Sequence, residues 1–382
     1  MQHKNILIIS LLGIFLAIMP SSAQTLSDEA TISLMSCSPA EPLYFHYGHS
    51  AIRIQDPHYV GPDGREGAID WTFNYGVFDF RQTGFYAKFV KGQTDYMLGM
   101  EHTAEFQMSS SYAGRQVYYQ PLLLTQEQKQ AIMDALAENY LPQNRYYRYN
   151  FVYDNCATRP WRIIRKTLEL PQAEGMAGLT WRENIDHFSG KWTWGKFGIN
   201  LAFGYEADRE MTREQSLFLP ENLMNYVSEQ GLSEDEYIAP FTPRDGQFWT
   251  SPELVILLLF LLIIGFTIWD VWRKKQTWLL DGILFGIYLI AGCILFYLYF
   301  FSEHPFVGSN LNVLYLNPLW ILPIILCCWK KGQQWLIQAS PFLLGWLIIA
   351  MMWMLLRHQS LHLMLTLVFL HTCRLVYIRK KQ

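Results

Sequence analysis

Residues 24 to about 240 predict an exported α+β domain, and residues 253–378 predict an all-α membrane domain of five helices. Three observations carry that division: alternating strand patterns, one helix with its own capping box, and long apolar segments separated by basic knots. Ser50–Gln55 places Ile52 and Ile54 on one face, which predicts a strand. Ile69–Asn74 sets Ile69, Trp71 and Phe73 against Asp70, Thr72 and Asn74, a second strand that stops at Gly76. Between them, Asp56-Pro57 through Pro62-Asp63-Gly64 predicts a turn. Arg115–Leu124, rich in Val and Tyr, predicts a third strand. Thr125-Gln126-Glu127-Gln128 is a capping box that opens a helix to about Tyr140, bounded by Pro142. Glu206–Tyr226 predicts a mostly helical stretch interrupted at Pro220. Pro240, Pro243 and Pro252 mark a linker at 241–252.

The chain begins with a short basic stretch, an apolar run from Ile6 to Met19, and small residues at Ser21 and Ala23. That pattern predicts a secretory signal at 1–23, cut before Gln24. The run is shorter than the ~20 residues a spanning helix needs. A net charge of −3 over 382 residues, with no Lys/Arg-dense stripe, argues against nucleic acid as a partner. Aromatic residues make up 16% of the chain, a composition that suits contact with lipid headgroups.

The five apolar segments are about Glu253–Trp272, Trp278–Phe301, Val313–Trp329, Trp335–Leu356 and Leu361–Ile378. Arg273-Lys274-Lys275, Lys330-Lys331 and Arg379-Lys380-Lys381 fall on one side of the membrane in this reading. Ser302–Asn312, without Lys or Arg, and the short turn Arg357–Ser360 fall on the other. The positive-inside rule puts the basic knots in the cytoplasm, and five spans after an exported domain predict the same. The expectation is a multi-pass bacterial inner-membrane protein with its first domain in the periplasm. The spans contain few ionisable residues, notably Asp281, His371 and Arg374, and the sequence shows no paired set, which argues against a transporter. His304, Asn310 and Asn312 lie in the outer loop, where they suit either a phospholipid headgroup site or a polar cap on the bundle.

Two stretches carry residues suited to covalent chemistry: Tyr47-Gly48-His49-Ser50-Ala51-Ile52-Arg53 and Tyr153-Asp154-Asn155-Cys156-Ala157-Thr158-Arg159. A thiol is a useful nucleophile as thiolate, and a helix N-terminus or an imidazolium lowers its pKa. Asp154 or Asn155 suits an N-cap just before Cys156, and Ile163, Ile164 and Leu168 give the following stretch an apolar face. Pro160 would clash with the Cys156 carbonyl in a regular helix, so the helix either starts nearer Thr158 or is distorted in its first turn. His49 opens a strand and is the leading base, with His46 its main competitor among His58, His102 and His187. A third, orienting residue is expected on the next strand: Asn74 first, with Asp70 and Asp79 as alternatives. Cys37, which reads as one of the turn residues Ser36-Cys37-Ser38-Pro39, is the other exported cysteine and leaves a Cys37–Cys156 disulfide open. No pair of histidines has zinc-site spacing, so neither a metal nor a diffusible cofactor is expected. Histidine before cysteine reverses the order of ordinary papain-like enzymes and suits a permuted group of cysteine hydrolases and acyltransferases.

Gly48-His49-Ser50-Ala51-Ile52-Arg53, Phe73-Asn74-Tyr75-Gly76-Val77-Phe78-Asp79-Phe80, Asn144-Arg145-Tyr146-Tyr147-Arg148-Tyr149-Asn150 and the Cys156 segment resemble the Lnb-type lipoprotein N-acyltransferases. The loop with His304-Pro305, Asn310, Asn312, Asn317 and Pro318 is similar as well. The resemblance implies a periplasmic, permuted papain-like domain on a helical membrane domain. It also implies transfer of an acyl chain from a phospholipid to the α-amino group of a lipoprotein's lipidated N-terminal cysteine. Cys156 and His49 match the family's catalytic pair by position. Arg159, His304, Asn310 and Asn312 are expected to bind substrate. The same residues also suit a membrane-tethered cysteine hydrolase acting on cell-wall or lipid substrates, or a non-catalytic module with Cys37 and Cys156 bridged.

Overall fold

The computed structural model describes residues 24–40, 45–79, 81, 83–234, 241–242 and 245–381. The expected signal segment lies outside these residues, as do residues 243–244 of the expected linker. The first strand, β1 (Thr31–Cys37), pairs antiparallel with β2 (His49–Val60), which pairs with β3 (Glu66–Val77). Helix α1 (Phe85–Lys91) then leads to β4 (Asp95–His102), and α2 (Thr103–Tyr112) leads to β5 (Val117–Pro121). Helix α3 (Gln126–Tyr140), β6 (Tyr146–Arg148) and α4 (Thr158–Thr167) complete the first half of the domain. The sheet is six-stranded and antiparallel, in the order β5-β1-β2-β3-β4-β6.

Alternation along the strands divides the core. Ile32, Leu34, Ile52, Ile54 and Phe73 face the main core, where Ile132, Met133 and Leu136 of α3 and Trp161 and Ile164 of α4 pack. Met35, Cys37 and Ala51 face the other way, onto Phe106 of α2. Cys37 therefore ends a central strand and is fully buried, not placed in a turn. Strand β2 also runs past Asp56-Pro57, with a register shift between Asp56 and Tyr59. The buried Asp56 carboxylate accepts from Ser27 N, Ser27 Oγ and His58 N, which holds that irregularity in place. The expected turn is confined to the tip, where Gly61 N–H donates to Arg65 O.

The second half carries β7 (Met176–Thr180), α5 (Trp181–Phe188), α6 (Trp194–Ala202), β8 (Glu210–Thr212), α7 (Arg213–Ser216) and α8 (Pro220–Glu229). The single helix expected over Glu206–Tyr226 is thus several pieces. Thr212 caps α7 through Gln215, and Pro220 starts α8 instead of interrupting a helix, because its missing N–H costs nothing at a first turn.

The C-terminal part holds α9 (Pro252–Arg273), α10 (Trp278–Phe301), α11 (Ile321–Cys327), α12 (Lys330–Leu356) and α13 (Leu363–Lys381). Among the described residues, α9, α10 and α12 are long and apolar enough to cross a membrane. The third apolar segment is short because Asn317-Pro318 breaks it into 3-10 turns before α11 begins. Helix α13 is less apolar, and its polar groups explain how it packs. Arg374 donates to Asp281 (3.0 Å) and Asp270 (2.6 Å), and His371 Nε2 donates to Asp281 (3.0 Å). All four side chains are buried. The expectation that these residues form no paired set is therefore corrected. They are remote in sequence and meet because α13 packs against α9 and α12. The network sits where α9 ends and α10 begins, and it ties three helices together; Thr267 and Thr277 complete it.

The loops joining α10 to α11 and α12 to α13 meet the α/β domain. Asn310 Nδ2 donates to Leu201 O and Ala202 O, and Asn312 Nδ2 donates to Leu201 O. Ser360 donates to Asp208, whose carboxylate also holds the buried guanidinium of Arg182. Gly204 lies so close to the outer loop that a methyl group there would stand 2.1 Å from the Ser309 carbonyl carbon. The two domains form a continuous, hydrogen-bonded contact.

Candidate active site

His49 is the first residue of β2 and is paired in register with Cys37. The chain reaches it through Gly48, whose φ is +73° and where a methyl group would stand 2.7 Å from Cys37 O, so no side chain fits. On the neighbouring strand β3, Asn74 Oδ1 lies 2.6 Å from His49 Nε2. An amide oxygen only accepts, so the imidazole carries its proton on Nε2 and presents the Nδ1 lone pair on its other side. Asn74 Nδ2 points to Glu101 of β4 at 3.5 Å, a long contact that orients the amide oxygen toward the histidine. The alternatives for this position are otherwise engaged: Asp70 forms a bidentate pair with Arg53, and Asp79 pairs with Arg81. His58 lies elsewhere, bonded to Glu66 near the far end of the hairpin.

Cys156 sits two residues before α4, outside its first turn. Helix α4 starts at Thr158, so Pro160 falls where no N–H is needed. Asn155 is buried and fixes the approach. Its side-chain oxygen accepts from Ala157 N and Thr158 N, while its amide donates to Phe151 O and Phe218 O. A methyl placed on Gly76 would stand 3.8 Å from both Cys156 Cβ and His49 Cε1, so thiol and imidazole converge beside that glycine. Both side chains remain partly accessible.

The electrostatics differ from the thiolate expected from sequence. Burial pushes the Cys156 thiol up to about 11, against opposing donation from the backbone N–H of Ser50 and of Cys156 itself and the charge of Arg115. Burial, with the Arg115 charge, pushes His49 down to about 4, against the Asn74 hydrogen bond. The resting site is a neutral thiol beside a neutral imidazole. Cys37, across the strand from His49, is also pushed up to about 11 by burial, and both cysteines are free.

Arg115 escapes a sequence reading altogether. It lies two residues before Val117, which pairs in register with Cys37, so β5, β1 and β2 bring it to the site. It is 9% exposed, its Nη2 donates to Ser110 Oγ (3.0 Å), and its plane covers the Phe45 ring at 4.0 Å. Its Nε is buried with no hydrogen-bond partner. No local pattern marks it, since only the strand register makes it a neighbour. Tyr96, Tyr147 and Tyr149 form a further cluster whose hydroxyls feel the charge of a Cys156 thiolate.

The four expected substrate-binding residues have other partners. Arg159 makes a bidentate pair with Asp154 and lies 3.6 Å from the Tyr147 ring centroid. Asn310 and Asn312 are buried and spend their amides on the domain contact described above. His304 donates from Nε2 to Phe89 O of α1 at 2.6 Å. Asn310, Asn312 and His304 brace the two domains, because the outer loop packs against the α/β domain. Among the described residues, no three His, Cys, Asp or Glu side chains gather as a metal site.

A cysteine beside an amide-held histidine, on an antiparallel sheet clamped to membrane helices, defines a membrane protein with a thiol–imidazole centre. Residues 21–186 match the Lnb N-terminal periplasmic domain, and residues 244–381 match the Lnb transmembrane domain. The chain belongs to the Lnb family and is a lipoprotein N-acyltransferase-like membrane protein with a periplasmic first domain. No curated protein and no solved structure matches it.

Proposed function

We propose that this protein moves an acyl chain from a phospholipid to the α-amino group of a lipoprotein's N-terminal cysteine, by way of a thioester on Cys156. The observation that carries the reading is the convergence of Cys156 and an Asn74-held His49 beside Gly76. It occurs in a chain that carries both Lnb domains.

In the first half-reaction, His49 Nδ1 takes the thiol proton as Cys156 Sγ attacks the ester carbonyl. The neutral resting pair suits this concerted role, because the proton moves only as the carbon–sulfur bond forms. The backbone N–H groups of Ser50 and Cys156 donate toward the sulfur, and in this reading they also receive the developing oxyanion. The imidazolium returns its proton to the departing glycerol oxygen, and lysophospholipid leaves. In the second half, the lipoprotein amine attacks the thioester, His49 takes the amine's proton, and that proton restores the thiol as sulfur departs. No metal or diffusible cofactor enters either step. Arg159 lies over the Tyr147 ring, and the helical domain delivers both lipid-tailed substrates at one surface.

Intact-mass measurement after mixing purified protein with phospholipid tests the first half: an acyl adduct is expected on the wild type and absent from Cys156→Ala. Adding a diacylated lipopeptide tests the second half. Acylated lipopeptide supports the transferase, whereas free fatty acid alone supports the hydrolase alternative.

A further inference from the structure

The segment that joins β3 to β4 leaves the candidate site at Gly76 and ends in α1, a seven-residue helix fixed on the outer end of α10. Three bonds fix it there: Ser302 Oγ donates to Val90 O (2.8 Å), Glu303 N to Lys91 O (2.7 Å), and His304 Nε2 to Phe89 O (2.6 Å). Helix α10 approaches this junction with Phe300 and Phe301 exposed on its lipid-facing surface. Immediately above, α1 exposes Tyr86, Phe89 and Val90, with Tyr86 72% accessible. Lys88 and Lys91 lie on the same short helix. An aromatic and apolar surface continuous with a spanning helix, flanked by ammonium groups, has the composition of the headgroup–acyl boundary.

Behind α1, a row of rings runs toward the site. Phe85 stacks on Phe78 (centroids 5.7 Å), Phe78 on Tyr96 (4.7 Å), and Tyr96 on Tyr149 (4.1 Å). Tyr96 and Tyr149 are both within the field of a Cys156 thiolate. We infer that α1 is a foot set into the outer leaflet, and that a bilayer phospholipid enters the site alongside it. Tyr86, Phe89 and Val90 meet acyl chains, and Lys88 and Lys91 meet phosphate. The entry route rests on the acyltransfer reading, whereas insertion of the foot does not.

The test uses the full chain in phospholipid nanodiscs. Photo-crosslinking p-benzoylphenylalanine is placed at Tyr86, and at Arg65 on the β2–β3 tip as a control at the opposite end of the sheet. Lipid adducts are expected at 86 at least tenfold above those at 65; equal yields overturn the foot. The Tyr86→Asp, Val90→Asp double variant is then given phospholipid either in bilayers or as detergent-dispersed short-chain lipid. At least a tenfold loss of Cys156 acylation from bilayers, with no loss from dispersed lipid, is expected. Equal rates from both sources overturn the entry route. A wild type that crosslinks at 86 yet gains no acyl group from either source counts against the proposed reaction and leaves the foot standing.

Discussion

Asn74 Oδ1 accepts the Nε2 proton of His49 at 2.6 Å, and this one bond leaves Nδ1 as the imidazole nitrogen with a free lone pair. Asn74→Ala removes it while leaving Cys156 and His49 in place. The expected result is a loss of about 100-fold in acyl-adduct formation, the cost of a reacting group displaced by about 1 Å. Asn74→Asp keeps an acceptor at the same position and adds a negative charge, so it is expected to recover most of the rate and raise the His49 pKa. Single-turnover adduct formation with phospholipid, followed by mass, checks both variants.

Arg115→Gln should move both titrations at the site. The guanidinium favours thiolate over thiol and neutral over protonated imidazole, so its loss raises Cys156 above about 11 and lifts His49 from about 4. Iodoacetamide alkylation of Cys156 across pH reads the first shift, and a slower rate at every pH below 11 is expected. An unchanged profile would show that the Arg115 charge does not reach the sulfur.

The His49–Cys156 pair also links folding to pH. His49 stays neutral in the folded protein down to about 4, whereas an unfolded histidine takes a proton near 6.5. The unfolded chain therefore binds more protons in that window, and this contribution to stability is lost as pH falls through it. Cys156 has the opposite sign: folded protein holds its proton to about 11, so the unfolded chain loses its proton first, and stability is lost as pH rises from 9 toward 11. Thermal unfolding of wild type against His49→Gln and Cys156→Ala, in detergent, should show differences confined to those two windows.

Arg374→Leu is expected to destabilise the helical domain by about 3–5 kcal/mol, because Asp270 and Asp281 would be left buried without their shared cation. The unfolding midpoint in detergent checks this, and cleavage by added protease should rise within α9 and α10. A variant that melts with the wild type would show that the network contributes nothing to holding α13.

Much of the architecture was legible because it rests on local chemistry. The Thr125 capping box, the alternation of Ile52 and Ile54, and the apolar segments each depend on residues a few positions apart. What escaped depends on distant pairing. Cys37 resembled a turn residue beside Ser38-Pro39, yet the β1–β2 register places it opposite His49. Arg115 has no motif, and only the order β5-β1-β2 brings it to the site. Asn310 and Asn312 looked free to bind substrate because sequence cannot show that Leu201 O and Ala202 O would claim their amides. The Asp281–His371–Arg374 network was missed for the same reason, since its members lie on helices separated by about ninety residues.

The loops that grip Leu201, Ala202 and Asp208 fix the height of the catalytic face above the helices. A headpiece riding on a slack tether could bend to meet a substrate at any depth, but this one is hydrogen-bonded to the loops of its helices. If the proposed acyl transfer holds, a substrate whose reactive group protrudes too little from the bilayer would go unread.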